Sequence, residues 1–290
     1  MAIVHVTGGS GFLGRRVVPL LVARGHTVTA LVRSPASAAV VAGLGAEPIG
    51  GDLDDPASVD AAFAASGAGV LVNLASLGFG HAPTIVAAAE EAGMRRAVFV
   101  STTAIFTSLP ARSKAVRTAA EDTVRASALD WTILRPTMIY GGPDDRNLAR
   151  LVRLVRRSPV IPVPGGGDRL QQPVHVEDLA ATVVACLDRP ASIGKAYDVA
   201  GPEPLTFREL IAATGAAVGR RPRIVAVPLR PAVAAVRLAE RVLPHPRLRA
   251  EQLERLAEDK AFPIDAARRD LGHDPRPFAT GIAEEAAQVR

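Results

Sequence analysis

Ile3-Val4-His5-Val6-Thr7-Gly8-Gly9-Ser10-Gly11-Phe12-Leu13-Gly14 runs from an apolar stretch straight into a glycine-rich turn. Ile3, Val4 and Val6 predict a buried strand, and Val17, Val18, Leu21 and Val22 recur at helical spacing over residues 15–23. Strand, tight turn and helix in that order aim backbone N–H groups at a point beyond the helix N-terminus, where a pyrophosphate can sit. Gly8 permits the turn, Gly11 lets the backbone approach the ligand, and Gly14 clears the space where helix meets strand. A dinucleotide is therefore the expected ligand, held by Thr7, Gly8, Ser10, Gly11, Phe12, Leu13 and Gly14. A glycine triplet can also form a ligand-free corner, but its place at the start of an alternating strand and helix pattern weighs against that.

The alternation extends outward from the loop. Residues 27–32, 47–50, 69–74 and 97–100 predict further strands, with helices running to Ala65 and over 83–92 between them. Five such alternations predict an α/β fold with a doubly wound parallel sheet and ligands at the carboxyl ends of its strands. The second strand ends in Arg33, where a carboxylate would bond the ribose 2′-hydroxyl of NAD. A guanidinium matches a 2′-phosphate instead, so NADP is the expected cofactor, with NAD still open and a solvated arginine the plainer alternative. Leu74 and Ala75, at the end of the fourth strand, leave room for the cofactor.

Composition sets outer limits. The 290 residues are 48% hydrophobic and carry a net charge of +5, spread without a basic tail. A clustered basic stripe with aromatics is missing, so nucleic acid is not an expected partner. No apolar run reaches the length a bilayer requires, and the first residues enter a strand without a leader, so a soluble cytoplasmic protein acting on a small molecule is expected. Cys186, the single cysteine, excludes an internal disulfide and reads as a small buried hydrophobe. No cluster has metal-ligand spacing.

Several segments together resemble the short-chain dehydrogenase/reductase superfamily, in its extended and atypical branches. They are the Gly-x-x-Gly-x-x-Gly loop, Asp52-Leu53, Ser101-Thr102-Thr103, Ser113-Lys114, Arg135-Pro136-x-x-x-Tyr140-Gly141 and Gln171-Gln172-Pro173-Val174-His175-Val176-Glu177-Asp178. The Gln-Pro-Val form of the last is similar to members related to a complex I accessory subunit and to NmrA-like proteins. The resemblance implies a Rossmann-type core with Asp52 and Leu53 beside the adenine. It also implies Thr102 as the catalytic hydroxyl, Lys114 on the nicotinamide ribose, and Pro136 and Met138 lining the nicotinamide pocket. It breaks at one position: Pro110 stands where the family carries its tyrosine acid. Tyr140 is a replacement candidate, although the family uses the matching tyrosine for packing. Gln171 replaces an arginine that nucleotide-sugar enzymes often use for a diphosphate, which weakens a sugar-nucleotide substrate.

The remaining chain predicts a division into a dinucleotide-binding core, 1–135, and a segment, 136–290, that returns strands to the core and builds a smaller substrate lobe. Asp178 is expected to cap a helix starting at Leu179, Thr206 to cap the next with Glu209, and Pro244-His245-Pro246 to form a hinge. Arg146 and Asn147 would suit an anionic or polar substrate if turned to the cleft. Leu238, Val242 and Leu243 offer a surface for a homodimer, with core packing the default. The functional expectation is an oxidoreductase or epimerase-like enzyme on a small polar or polyketide-like metabolite. Its alternatives are a non-catalytic NADP(H) sensor or assembly protein, and a non-redox reaction on the same fold.

Overall fold

A computed structural model describes residues 1–109, 112–145, 147–242, 250–254 and 257–289. Pro110, Arg146, Leu243 and the Pro244-His245-Pro246 segment lie outside the described residues. The strands are β1 Ile3–Thr7, β2 Thr27–Val32, β3 Glu47–Gly50, β4 Val70–Asn73, β5 Arg96–Val100, β6 Asp130–Pro136, β7 Ile139–Tyr140, β8 Val160–Pro164, β9 Leu170–Gln171, β10 Val174–His175, β11 Lys195–Val199, β12 Leu205–Thr206 and β13 Arg223–Val227. The α-helices are α1 Gly14–Ala23, α2 Pro35–Gly43, α3 Pro56–Ser66, α4 Ala82–Glu91, α5 Arg112–Ala126, α6 Leu148–Arg157, α7 Val176–Ala185, α8 Phe207–Ala217, α9 Leu229–Val242, α10 Ala250–Glu254, α11 Asp265–Leu271 and α12 Phe278–Gln288.

The principal sheet has the order β3-β2-β1-β4-β5-β6-β11, with every pair parallel. The order reverses beside β1, so the carboxyl ends of β1 and β4 open a crevice there. On one face Val17, Val18 and Leu21 of α1 and Leu179 and Val183 of α7 pack with Val4 and Val6. The other face buries Phe63 of α3, Ile85 of α4 and Val124 of α5 against Leu71 and Phe99. Strands covered on both faces explain why β1, β4 and β5 read as continuous apolar runs. Cys186 is fully buried in this core.

Two helices escape the sequence reading. α2 follows β2 directly, with Pro35 in its first turn and a reciprocal capping box between Ser34 and Ser37. Serine at the third position is a weak signal, and the helix is alanine-rich with no marked apolar stripe. α12 lies beyond the last predicted helix, and Phe278, Ile282 and Ala286 on it close the core of the smaller lobe with Leu148, Val152 and Leu210. Thr206 and Glu209 form the expected capping box on α8.

Asp178 does not cap a helix. α7 begins at Val176, and the His175 ring Nδ1 accepts the Glu177 N–H at 3.3 Å. Asp178 lies inside the first turn, where a carboxylate favours the helix dipole; its Oδ1 accepts Nη2 and Nε of Arg276 at 2.8 and 3.0 Å, and its Oδ2 accepts Nε at 3.2 Å and the Arg276 backbone N–H at 2.9 Å. This bidentate pair fixes the approach to α12.

Candidate active site

The glycine loop has almost no room for a side chain. Gly8 has φ +73°, and a Cβ there would lie 2.8 Å from the Ala75 nitrogen. A Cβ on Gly14 would meet the Gly8 and Gly9 carbonyl oxygens at 2.4 Å. The Gly11 N–H closes the turn on the Gly8 carbonyl at 3.0 Å. Beneath the loop, the Thr7 hydroxyl donates to the Asn73 side-chain oxygen at 2.6 Å, and the Asn73 amide donates to the Ala75 carbonyl at 3.1 Å. Thr7 is thus wholly buried and shapes the groove from below instead of lining it. Leu13 is turned into the core with α1, while Leu74 is partly buried against the same cluster.

Around this loop a groove runs across the carboxyl ends of the sheet. One end is walled by Gly8, Ser10, Arg33, Asp52, Leu53 and Ala75 together with Phe79 and His81. Ser34 and Ser37 line the same recess as Arg33, so the start of α2 lies beside the guanidinium. The groove continues past Ser10, Gly11 and Phe12 to Met138 and Asn147. Met138 and Asn147 also line a cleft of about 600 Å³ that reaches Thr102, Phe106 and Gln171. The loop geometry and the groove fit a dinucleotide.

Thr102 stands at the wall of that cleft, where its side chain accepts the Ala104 N–H at 3.2 Å and starts a short helical turn over Thr103–Phe106. This bond uses an oxygen lone pair, so the hydroxyl proton is available to another acceptor. Thr103 donates to the Pro136 carbonyl at 3.3 Å, joining this turn to the end of β6. Lys114 lies near the start of α5, half-buried, and its ammonium donates to the Thr107 carbonyl at 2.6 Å. Tyr140 is in a different place: 1% exposed, it meets His175 edge-on and stacks obliquely on Phe278 in the lobe core. Burial, joined by the Asp178 carboxylate, pushes its phenol well above the usual range. No part of the cleft wall comes from it.

Three charged clusters about the site went unread in the sequence. Glu121 of α5, 1% exposed, accepts the Ser101 hydroxyl at 2.6 Å and both Nε and Nη2 of Arg135, the latter at 2.6 Å. Burial alone would raise its carboxyl, but the bonds from Arg135 and Ser101 and the Arg125 charge hold it below the ordinary value. In the C-terminal segment, Glu258 accepts the Thr107 hydroxyl at 2.7 Å and the Ser108 N–H and hydroxyl at 2.7 and 2.6 Å, fastening that segment across the cleft mouth. Glu285 of α12 is wholly buried, accepts the Gly141 N–H at 3.0 Å and lies beside Asp145. Asp145 in turn accepts the N–H groups of Asn147, Leu148 and Ala149 at the start of α6. Arg135 was the one legible signal, an arginine inside an otherwise apolar strand.

Among the described residues, no group of histidine, cysteine or acidic side chains could hold a metal, and no helix is long and apolar enough to cross a membrane.

Residues 8–190 match a family model described as NAD(P)H-binding. The chain is 30% identical, over 93% of its length and 91% of the relative's, to a 4-hydroxy-2-methyl-3-oxo-4-farnesyl-3,4-dihydroquinoline-1-oxide ketoreductase of Stigmatella aurantiaca. It is 33% identical, over 78% of its length and 60% of the relative's, to a mitochondrial NADH dehydrogenase (ubiquinone) 1 alpha subcomplex subunit 9 of Arabidopsis thaliana. In fold it is similar to a UDP-glucuronic acid 4-epimerase of Bacillus cereus solved with UDP-glucuronic acid and NAD, with a TM-score of 0.75, 14% identity, and 99% and 98% of the two chains covered.

Proposed function

Because the chain belongs to the NAD(P)H-binding family, with reductases among its relatives, we propose that it is an NADP-dependent reductase of a carbonyl compound. The observation that carries this reading is the position of Thr102. Its hydroxyl, with a proton to donate, faces a cleft that joins the dinucleotide groove at Met138 and Asn147.

A bound dihydronicotinamide supplies the hydride. The chain's own part is orientation and charge. Thr102 donates to the substrate oxygen as negative charge develops there, which is where a fixed donor lowers a barrier most. The Ser101–Glu121–Arg135 network holds the adjoining backbone in place. Lys114, through the Thr107 carbonyl, fixes the loop at the cleft mouth. Arg33, with the start of α2 beside it, favours the 2′-phosphate of NADP.

Titration of cofactor-free protein with NADPH and NADH, followed by NADPH oxidation against a panel of ketones, tests the reading. Preferred NADPH binding and turnover of a ketone, lost in Thr102→Ala with cofactor affinity retained, supports it. Cofactor binding without any turnover favours a second reading, a dinucleotide-binding protein that does no hydride chemistry. Pro110 at the tyrosine position and the likeness to a respiratory-complex subunit favour that second reading.

A further inference from the structure

Phe106 is a large apolar side chain left 49% exposed, and it lines the cleft beside Thr102. Its ring is firmly set. The Arg135 guanidinium lies 5.1 Å from its centre, and the Phe262 ring lies 5.8 Å away at an interplanar angle of 33°. Phe262 comes from the C-terminal segment, where its N–H donates to the buried Gln172 side-chain oxygen at 2.8 Å. Both rings line one cleft and come from elements far apart in sequence. An aromatic pair fixed by its own supports and open to solvent offers a flat apolar body a place to stack.

A second observation defines the polar part of the ligand. Gln171 lines the same cleft, is 4% exposed, and its side-chain nitrogen has no hydrogen-bond partner. A buried donor left unpaired is costly, so a ligand acceptor there would be gained at little expense. The amide is neutral and suits a neutral oxygen, whereas a phosphate is met by a guanidinium. The charged groups of the wall are engaged among themselves and with the protein: Glu258 holds Thr107 and Ser108 with the Lys260 charge beside it, and Asp259 holds Arg169.

We infer that the cleft selects an uncharged carbonyl compound with a planar apolar body and a second oxygen. The body stacks on Phe106 and Phe262, and the second oxygen accepts from Gln171. The inference deepens the reductase reading and rests on it only for the fate of the first carbonyl.

The test compares benzoylacetone with acetoacetate on the NADP-loaded protein, by calorimetry and by NADPH oxidation. Benzoylacetone is expected to bind at least about tenfold more tightly, a preference supplied by stacking and by exclusion of charge. Phe106→Ala, Phe262→Ala and Gln171→Leu should each weaken its binding by roughly fivefold or more while leaving NADP affinity unchanged, which reports intact folding. Equal binding of the two probes, or variants that bind benzoylacetone like the parent, would overturn the inference. Benzoylacetone bound in the expected pattern but never reduced would remove the reductase reading and leave the pocket standing. Reduction of acetoacetate with no binding of benzoylacetone would do the reverse.

Discussion

The Ser101 hydroxyl donates to the Glu121 carboxylate at 2.6 Å, so the residue before Thr102 is tied to the middle of α5. The same carboxylate receives Arg135 from β6, which makes it the junction of three elements that meet under the cleft. Glu121→Ala would leave Arg135 buried without its main partner, a class of change that costs about 3–5 kcal/mol. Chemical denaturation should show a loss of that order, with Glu121→Gln losing less because it still accepts from Ser101. A loss below about 1 kcal/mol, the range of exposed pairs, would mean that Asp198, whose carboxylate lies 3.7 Å from the Arg135 Nη1, or solvent takes over the guanidinium.

Gly14→Ala is expected to cost roughly 1–3 kcal/mol in stability, the usual range for overpacking, because its Cβ would meet two carbonyl oxygens at 2.4 Å. Relief of that contact must move the Gly8–Gly9 turn, so the variant should also lose dinucleotide affinity. Calorimetric titration with NADPH beside a melting curve separates the two effects. A variant that binds normally would show that the loop shifts without harm to the groove.

The sequence made the core of the fold legible because the central strands β1, β4 and β5 are buried on both faces and the strands from β1 to β6 follow one another through single helices and short turns. Val4, Val6, Leu71 and Phe99 sit where an alternating pattern puts them. The loop residues Gly8 and Gly14 were legible for another reason: a close backbone approach leaves glycine little alternative. Other parts depend on partners distant in sequence. Glu121 and Arg135 are separated by a helix and a turn, Thr107 and Glu258 by most of the second half of the chain, and neither half of such a pair points to the other. Tyr140 shows the converse. Its residue type allowed an acid, but only the fold puts it against Phe278 and Gly281, in the lobe core.

Arg33 lines the recess at the start of α2 with Ser34 and Ser37. A charge-assisted contact to a 2′-phosphate is worth about 1.5–3 kcal/mol, so Arg33→Ala should weaken NADPH by roughly ten- to a hundredfold. NADH, without that phosphate, should bind within about twofold of its original affinity, since no charged contact is lost. Equal losses for both nucleotides would show that Arg33 acts on the adenine or the loop, and the preference for NADP would then need another source.

Glu285 ties stability to pH. Burial, with the Asp145 carboxylate beside it, pushes its carboxyl from 4.5 up to about 8. A carboxyl whose value is raised by folding takes up a proton as the chain folds. Its favourable contribution is therefore full below pH 4.5 and is lost as the pH rises through about 8. Above that point an ionised Glu285 faces Asp145 inside the lobe, and the link from α12 to the Gly141 N–H is strained by like charge. Glu285→Gln keeps an acceptor for Gly141 and cannot ionise. The melting temperature of the parent should fall relative to this variant as the pH is raised through that interval, with the variant the more stable at the alkaline end. Parallel melting curves at every pH would mean that Glu285 does not change its proton affinity on folding, and the pH dependence would be lost.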